Sequence, residues 1–374
     1  MKGRALPPSD FKEDLWELLR RTERPILLYG MGNGADKMIA RLETMGKQCS
    51  DVFASDGFVR GQSFHGKRVI SFSEVKENYK DPLILVCFGS SLPDVLDTVF
   101  KIANSYELYI PDMPIAGEVY FTAAFYTEHY ERFARVYEML ADEASRALYT
   151  SLLWYKLTGA PLYLKDAVAT GDERALLSYD RMTSAVDVGA YRGDTLEEML
   201  LNAPHLETVF ALEPDGKNFK KLSHYAEGIM GKELFLFNAA AWENEGELSF
   251  ASSGNRNATL GEREKAIAGT ASYEYRATTV KTVKIDDIIQ GRKVDYIKYD
   301  TEGAELSALV GSEGTIRGSS PAMRISAYHR SEDLFALPLW LYEKMGDRYA
   351  YYLRRRLSIP AWDIELIAVP KQKQ

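Results

Sequence analysis

A glycine loop that follows Asp187 has the residue types of a cofactor site. The segment VDVGAYRGDT runs from an apolar stretch carrying one acid into two glycines, and a helix is predicted to begin directly after it. Glycines let the backbone pass close under a bound ligand because they carry no Cβ. A second loop, LLYGMGNGA, lies upstream between Leu27 and Ala35. The sequence therefore offers two candidate cofactor loops.

The two loops differ in how well they suit a pyrophosphate. The upstream loop has the spacing of a dinucleotide loop, with Gly30, Gly32 and Ala35 in the required places. The downstream loop carries Asp187 before the turn and Asp194 at the predicted helix start, and these acids would repel a pyrophosphate. A ligand that bears an ammonium and a sulfonium would be attracted there. The downstream loop therefore predicts S-adenosylmethionine as its ligand.

Two later strand ends are predicted to complete this donor site. Glu213 ends the strand in FALEPD, 20 residues after Gly193, and a carboxylate there can accept hydrogen bonds from both ribose hydroxyls. Asn238 in FNAAAW can bond the adenine edge, and Ala239 leaves room for the ring. The predicted donor-binding residues are Asp187, Gly189, Ala190, Tyr191, Gly193, Asp194, Thr195, Glu213, Asn238, Ala239 and Asp300.

Four segments of the sequence resemble the FkbM-type methyltransferases, namely VDVGAYRGDT, FALEPD, IKYDTEGAELSALVG and RISAYHRSEDLFALP. The similarity covers about residues 120 to 370. It implies a Rossmann-like class I methyltransferase fold, S-adenosylmethionine as methyl donor, and O-methylation of a sugar or another small hydroxylated acceptor. The alternatives are N-methylation of a small amine and a donor-binding sensor or scaffold that has lost catalysis. The joint presence of Asp300, Glu302 and His329 argues against lost catalysis.

These three candidate catalytic residues follow two neighbouring strands. Asp300 and Glu302 follow one strand in YDTEG, and His329 follows the next in SAYHR, at the edge where open α/β sheets bind ligands. A hydroxyl acceptor must lose its proton, so we expect His329 to be the direct base, with an acid such as Glu302 fixing its tautomer. The alternative is a divalent metal, magnesium or manganese, that acidifies the hydroxyl. No metal ligands are predicted, because Asp300 is expected to be engaged with the donor.

Alternating strand and helix patterns predict an α/β fold with two units that position these sites. The front unit has predicted strands at Ile26–Tyr29, Gln48–Ala54 and Leu83–Phe88. The second has predicted strands at Ala185–Val188, Val209–Glu213, Leu234–Asn238, Tyr296–Asp300, Arg324–Tyr328, Tyr349–Leu353 and Asp363–Val369. The expected fold is a seven-stranded, mostly parallel sheet, preceded by a smaller Rossmann-like domain and a connector of two helices. The polar stretch from Ser252 to Thr279 is predicted to be a lid or a mobile loop.

The predicted domains are residues 1–117, a helical connector at 118–182, and a methyltransferase domain at 183–374. The front domain resembles the small nucleotide-binding domain found before some sugar-modifying enzymes. Asp36 near its helix start speaks against a tightly held pyrophosphate, and the glycines would then form only a tight turn in a docking domain. We expect the front domain to fold independently and not to bind the methyl donor. It would orient the acceptor or mediate self-association.

Composition narrows the functional class. The 374 residues are 46% hydrophobic, enough for packed cores, and the net charge of -8 speaks against a nucleic-acid partner. Two cysteines fit a reducing compartment. With no signal peptide and no apolar run that spans a bilayer, a cytoplasmic protein without a membrane partner is expected. The expected partner is a small-molecule acceptor, with a sugar or nucleotide-sugar as the leading class. The basic run Arg354–Arg356 is predicted to lie on a solvated strand edge.

Overall fold

The structure is a computed structural model that describes residues 4–252, 259–260 and 276–371. Its strands are β1 (Ile26–Tyr29), β2 (Asp51–Ala54), β3 (Ser63–Phe64), β4 (Lys67–Arg68), β5 (Ile70–Ser71), β6 (Leu83–Val86), β7 (Glu107–Tyr109), β8 (Ser184–Val188), β9 (Thr208–Leu212), β10 (Glu233–Phe237), β11 (Ala240–Ala241), β12 (Gly246–Ser252), β13 (Thr259–Leu260), β14 (Arg276–Val283), β15 (Tyr296–Tyr299), β16 (Ala322–Ser326), β17 (Tyr349–Arg354) and β18 (Glu365–Pro370). The predicted lid between Ser252 and Thr279 lies largely outside the described residues.

The helices alternate with these strands. They are α1 (Leu15–Arg21), α2 (Asn33–Thr44), α3 (Phe72–Asn78), α4 (Pro93–Ala103), α5 (Ala123–Glu128), α6 (Tyr130–Met139), α7 (Glu143–Thr158), α8 (Pro161–Asp166), α9 (Glu173–Leu177), α10 (Asp194–Asn202), α11 (Gly216–Ala226), α12 (Ile285–Ile289), α13 (Glu305–Val310), α14 (Glu313–Ser319) and α15 (Asp333–Met345). Within the part of the chain described, no helix has the length and apolar character to cross a bilayer.

The front sheet has five parallel strands in the order β5-β2-β1-β6-β7. Strands β1 and β6 are buried along their whole length, as expected for a parallel sheet covered by helices on both faces. The three strands predicted here are confirmed, although β2 begins at Asp51 rather than Gln48. Residues 48–50 lie between the strand and the turn that ends α2, in which the amide of Lys47 donates to the carbonyl of Leu42.

The second sheet has seven strands in the order β10-β9-β8-β15-β16-β18-β17, and all seven were predicted. It is a mixed sheet, because β18 runs antiparallel to both of its neighbours. The carboxyl ends of β8, β9, β15 and β16 lie at one edge, since these strands are mutually parallel. A four-stranded sheet of β11, β14, β12 and β13 was not predicted.

The connector contains more helices than the two predicted. Helix α5 ends at Glu128, α6 follows at Tyr130, and α7 begins after the N-cap residue Asp142. One buried cluster extends from Leu27 in the front sheet through Phe133 in α6 to Ile325 in the second sheet. The front and second sheets therefore share a core through these helices, and the predicted domain boundaries and independent folding stay predictions.

The prediction of a solvated edge for the basic run was wrong for two of its three arginines; Arg356 is exposed, and β17 is the edge strand of the sheet. Arg354 and Arg355 are 2% and 1% exposed. Arg354 forms ion pairs with Asp142 and Asp172 at 2.7 and 2.6 Å. Arg355 donates to the carbonyls of Ala167 and Ser358, among others. Connector helices cover β17, so these guanidinium groups hold the connector against the sheet instead of facing water.

Candidate active site

The predicted donor loop follows β8 at the carboxyl edge of the second sheet. Gly189 has a φ of +87°, and a Cβ at this position would overlap the backbone oxygen of Asp300. Gly193 has a φ of +100° and precedes α10. A side chain at Gly193 would meet the ring of Tyr225. Both glycines are thus required by close approaches within the chain, and the loop lies directly against the end of β15.

Asp187 is fully buried beside Lys298, its register partner on β15. Neither carboxylate oxygen of Asp187 has a hydrogen-bond partner among the described residues, and the ammonium of Lys298 lies 3.7 Å away. Burial raises the pKa of Asp187 to about 6, while the charge of Lys298 opposes that rise. Lys298 itself was not predicted as a site residue, although a lysine within the apolar strand YIKY is a signal that could have identified it.

The ammonium of Lys298 connects the donor loop to the acceptor side. It donates to the hydroxyl of Thr195 at 2.9 Å and lies 3.5 Å from the carbonyl of Gly189. It also pairs with Asp300 at 3.4 Å. Burial alone lowers the pKa of Lys298, but Asp300 and Asp187 outweigh that effect and raise it. Lys298 therefore stays charged and holds three elements together.

Glu213 lies just after β9, where its carboxylate faces the donor loop. Its two oxygens accept hydrogen bonds from the amides of Tyr191 and Asp215 at 2.9 and 2.8 Å. Burial raises its pKa to about 7, against the lowering effect of these amides. The remaining predicted donor residues lie along the same edge: Ala190 is buried within the loop, Tyr191 has a φ of +49°, and Asp194 begins α10.

Asn238 and Ala239 follow β10, next to Glu213. The side-chain amide of Asn238 donates to the carbonyls of Glu213 and Pro214 at 2.9 and 3.1 Å. Ala239 is buried. The predicted contact of Asn238 with adenine stays a prediction, and its carbonyl oxygen is the atom left to make it, because the amide nitrogen is already used.

The acceptor-side cluster is built around the buried imidazole of His329. Its Nδ1 lies 2.9 Å from Glu305, and its Nε2 lies 3.5 Å from Glu302 and 3.7 Å from Asp300. The residue that orients the ring is therefore Glu305, not the predicted Glu302. Glu305 was missed because it is three residues further along TEGAE, beyond a turn in which Glu302 and Gly303 both have positive φ.

The protonation states follow from this crowding of carboxylates. Burial alone lowers the pKa of His329, but Glu305 and its neighbours outweigh burial and raise it to about 10. Burial raises the pKa of Glu302 to about 7. Burial also acts to raise the pKa of Asp300, but Lys298 and His329 together lower it. His329 is thus an imidazolium at neutral pH and can act as the predicted direct base only after it loses that proton.

Asp300, Glu305 and His329 also provide a group of atoms that can hold a metal ion. One ligand atom from each lies within 4.8 Å of the others, and two carboxylates with one imidazole suit magnesium, manganese or iron. A metal would have to displace the proton of His329 and compete with the amide of Thr301, which donates to Glu305 at 2.8 Å. These residues therefore fit a metal ion only if His329 loses its proton and Glu305 loses the hydrogen bond from Thr301. Independence of the activity from a metal stays a prediction.

The upstream glycine loop of the front sheet is closely packed by its own chain. A Cβ at Gly30 would lie 2.6 Å from the ring of Phe88, and one at Gly34 would overlap the carbonyl of Cys87. Asp36 pairs with His65 at 2.6 Å. These contacts are consistent with a tight turn that packs α2 on the sheet, and nucleotide binding at this loop stays a prediction.

Comparison with known families gives a match over the region just described. Residues 187–349 match the family model of the methyltransferase FkbM domain. The matched range starts at Asp187 and contains the donor loop, Glu213 and the His329 cluster. This match confirms the resemblance of the four segments. Comparison with curated proteins gives no match.

Comparison with solved structures also gives matches to methyltransferases. The crystal structure of methyltransferase FkbM from Methylobacillus flagellatus KT is 22% identical, covers 97% of this chain and 94% of its own, and has a TM-score of 0.68. At that identity the likeness concerns the fold alone, and it extends over both sheets. A putative methyltransferase from Streptococcus mutans in complex with SAH is 11% identical over 52% of this chain and 94% of its own, with a TM-score of 0.32.

Proposed function

We propose, from the match of residues 187–349 to the methyltransferase FkbM domain, that this chain transfers a methyl group from S-adenosylmethionine to a hydroxyl of a small acceptor. The acceptor class is a sugar, a nucleotide-sugar or another small hydroxylated molecule, and the proposed location is the cytoplasm. The proposal separates a donor side, at the ends of β8 to β10, from an acceptor side, at the ends of β15 and β16.

The observation that supports the donor is the excess of negative charge around the glycine loop. Asp187, Glu213 and Asp300 bring three carboxylates to this edge, and Lys298 is the ammonium among them. Asp187 is buried without a hydrogen-bond partner among the described residues, and its cation, Lys298, is shared with Asp300, so a second positive charge would further stabilise this carboxylate. When bound, S-adenosylmethionine supplies a methyl group on a cationic sulfonium, which matches this field.

The acceptor side supports removal of a hydroxyl proton. In the transfer, the acceptor oxygen bonds to the methyl carbon, the carbon–sulfur bond breaks, and its electron pair stays on sulfur. Glu302 is the group best matched to take the hydroxyl proton, because its pKa of about 7 lies near neutral pH and 27% of its side chain is exposed. The imidazolium of His329 stabilises the carboxylates of Glu302 and Asp300 before the proton is taken.

The two alternatives make different demands on this cluster. An amine acceptor in its neutral form needs less help from a base, so an N-methyltransferase would tolerate loss of Glu302. A donor-binding sensor without catalysis would not need a carboxyl whose pKa is held near 7 beside a buried imidazolium. The crowded cluster around His329 therefore favours an enzyme that moves a proton.

Donor binding and an acceptor screen test the proposal. Calorimetry with S-adenosylhomocysteine should give saturable binding to the full chain. A panel of sugars, nucleotide-sugars and amines incubated with labelled S-adenosylmethionine should yield a hydroxylated product that gains one methyl group by mass. Absence of S-adenosylhomocysteine binding would remove the donor assignment. Methylation of amines alone would replace O-methylation with N-methylation.

A further inference from the structure

Residues 115–119, which precede α5, lie directly against the acceptor side of the second sheet. The backbone amides of Ile115 and Ala116 both donate to the carbonyl of His329, at 3.2 and 2.9 Å. Two residues of the predicted front domain thus bond the residue at the centre of the acceptor cluster. Two donors on one carbonyl restrain the backbone of His329.

Further contacts extend this junction to the neighbouring turn. The hydroxyl of Ser331, which is 3% exposed, donates to the carbonyl of Val119 at 2.6 Å. Gly303 packs so closely on Ala116 that a Cβ at Gly303 would overlap the methyl group of Ala116. Residues 115–119 therefore contact both the turn after Glu302 and the loop that contains His329.

Arg330 joins the same two loops. Its Nε donates to the carbonyl of Gly303 at 2.6 Å. Its guanidinium also fills the space beside Gly117, because a Cβ there would lie 2.8 Å from Nη1. A shift of residues 115–119 would therefore be transmitted to the positions of both Glu302 and His329.

The residues that precede this segment are bonded to α7 and to the residue that follows that helix. Asp112 pairs with Lys156 of α7 at 2.8 Å, and the side chain of Lys156 is 2% exposed. The amide of Ile110 donates to the carbonyl of Gly159 at 2.8 Å. Residues 115–119 are thus held at one end by contacts with α7. Along their length they are held by the turn after Glu302 and the loop that contains His329, so this segment is fixed in place.

We propose that residues 115–119 form one wall of the acceptor cleft, and that Ser331 is a positioning residue that sets the place of His329 through this wall. The inference rests on the proposed function for the identity of the cleft. The side chains of Glu118 and Val119 are exposed, so they are the part of this segment that an acceptor would meet. The acceptor site is then built by both halves of the chain, whereas the donor site is built by the second half.

The Ser331→Ala variant of the full chain tests this role. Loss of one buried hydrogen bond should lower turnover about 5- to 30-fold at saturating donor, while affinity for S-adenosylhomocysteine stays within about twofold. His329 is the one fully buried histidine of five, so ¹⁵N-histidine NMR should show its imidazole signals shifting or exchanging faster with water. Thr98→Ala is the matched control, since it removes a hydroxyl-to-carbonyl bond within α4 and should leave both measurements unchanged.

A second variant keeps the proposal testable if the Ser331→Ala protein does not fold. Ala116→Gly removes the methyl group that packs on Gly303 without adding bulk, and it should perturb the same His329 signals. If His329 signals and turnover are unchanged in both variants while donor binding is intact, the proposed role of residues 115–119 is wrong. The methyltransferase proposal would be unaffected by that result. A parallel loss of donor affinity would also overturn the role of residues 115–119, because the effect would then be general. Failure of the unaltered chain to bind S-adenosylhomocysteine would refute the proposed function itself.

Discussion

At the scale of single residues, three carboxyl groups should govern how the site responds to pH. Burial raises the pKa of Asp187 to about 6 and the pKa values of Glu213 and Glu302 to about 7. A raised carboxyl pKa means that the neutral acid persists to a higher pH, so each group is charged only above its own value. The first two groups face the donor loop and the third faces the acceptor side, so donor affinity and turnover can be titrated separately.

We expect affinity for S-adenosylhomocysteine to be full above about pH 7.5 and to fall about tenfold or more by pH 5.5, because Glu213 then becomes neutral and accepts less well from ribose. Glu213→Ala should weaken binding about 10- to 100-fold at pH 8, and Glu213→Gln should flatten the part of the pH dependence near 7. Calorimetry at the two pH values measures both effects. Unchanged affinity in Glu213→Ala would remove the ribose assignment.

Replacing Lys298 by Met should weaken the donor site and the fold together. The change leaves Asp187 buried without its cation, leaves Asp300 with His329 alone, and removes the bond to Thr195. We therefore expect S-adenosylhomocysteine affinity to drop about 10- to 100-fold and the free energy of unfolding to fall by about 3–5 kcal/mol. Lys281→Met is the matched control, a strand lysine that is exposed on β14. Donor affinity equal to that of the control would show that Lys298 does not organise the loop.

His329→Ala should keep donor affinity and lower turnover about 10²- to 10⁴-fold, because the cluster loses its imidazole. The pH profile then separates the candidate bases. Turnover that rises through pH 7 and is lost in Glu302→Gln indicates Glu302, whereas a rise toward pH 10 indicates His329. A chelator should leave the enzyme active, and inactivation with rescue by magnesium would favour the metal alternative.

Residue types in the sequence predicted which acids lie at the edge of the second sheet, but not which of them contacts His329. The acids of VDVG, ALEPD and YDTEG were located because charged residues at the ends of apolar strands must lie at one sheet edge. The hydrogen-bond partner of His329 was not predicted correctly. Glu302 and Glu305 are three residues apart, and which of them reaches the imidazole depends on a turn in which two residues have positive φ. The charge of His329 could not be predicted either, since it depends on how many carboxylates the fold brings to one ring.

At the scale of elements, apolar runs predicted the strands that are buried, and polar or short strands were missed. The seven strands of the second sheet were found because their sequences are mostly apolar, even in β10, which has no fully buried residue. Strands β11 to β14 are short or polar. The connector was predicted as two helices because its aromatic spacing is continuous. Its breaks are set by caps, such as the carboxylate of Asp142 that accepts from the amide of Ser145 at 2.7 Å.

The two roles of Asp142 can be separated by substitution. Asp142 caps α7 and pairs with Arg354. Asp142→Asn keeps the cap and loses the charge, so it should cost about 0.2–1 kcal/mol, because its side chain is 32% exposed. Asp142→Ala should cost about 0.5–2 kcal/mol more through the lost cap. Denaturant unfolding measures the difference, and Asp172→Ala removes a partner of Arg354 that forms no side-chain cap. Equal losses for Asn and Ala would show that the cap contributes nothing.

At the scale of the whole molecule, the front sheet is joined to the second sheet near its acceptor edge. Ser90, just after β6, exchanges two backbone hydrogen bonds with Ile359, at 2.8 and 2.9 Å. The ring of Trp362 lies on Gly89. Sequence patterns predicted two α/β units and their order, but not this junction, because it joins residues about 270 positions apart and follows from no local periodicity.

A pair of substitutions at this junction should be strongly non-additive. A Cβ at Gly89 would overlap the ring of Trp362, so Gly89→Ala alone should destabilise the chain by about 1–3 kcal/mol through overpacking. Gly89 does not have a positive φ, so alanine fits its backbone once the ring is gone. In a Trp362→Ala background, the same change should be neutral or stabilising by about 0.4–1 kcal/mol, because alanine restricts the unfolded chain. Thermal unfolding of the four proteins measures the coupling, and S-adenosylhomocysteine affinity should stay constant throughout. Additive effects would mean that Gly89 and Trp362 are not in contact. The front and second sheets would then be joined by the buried cluster that runs through the connector helices.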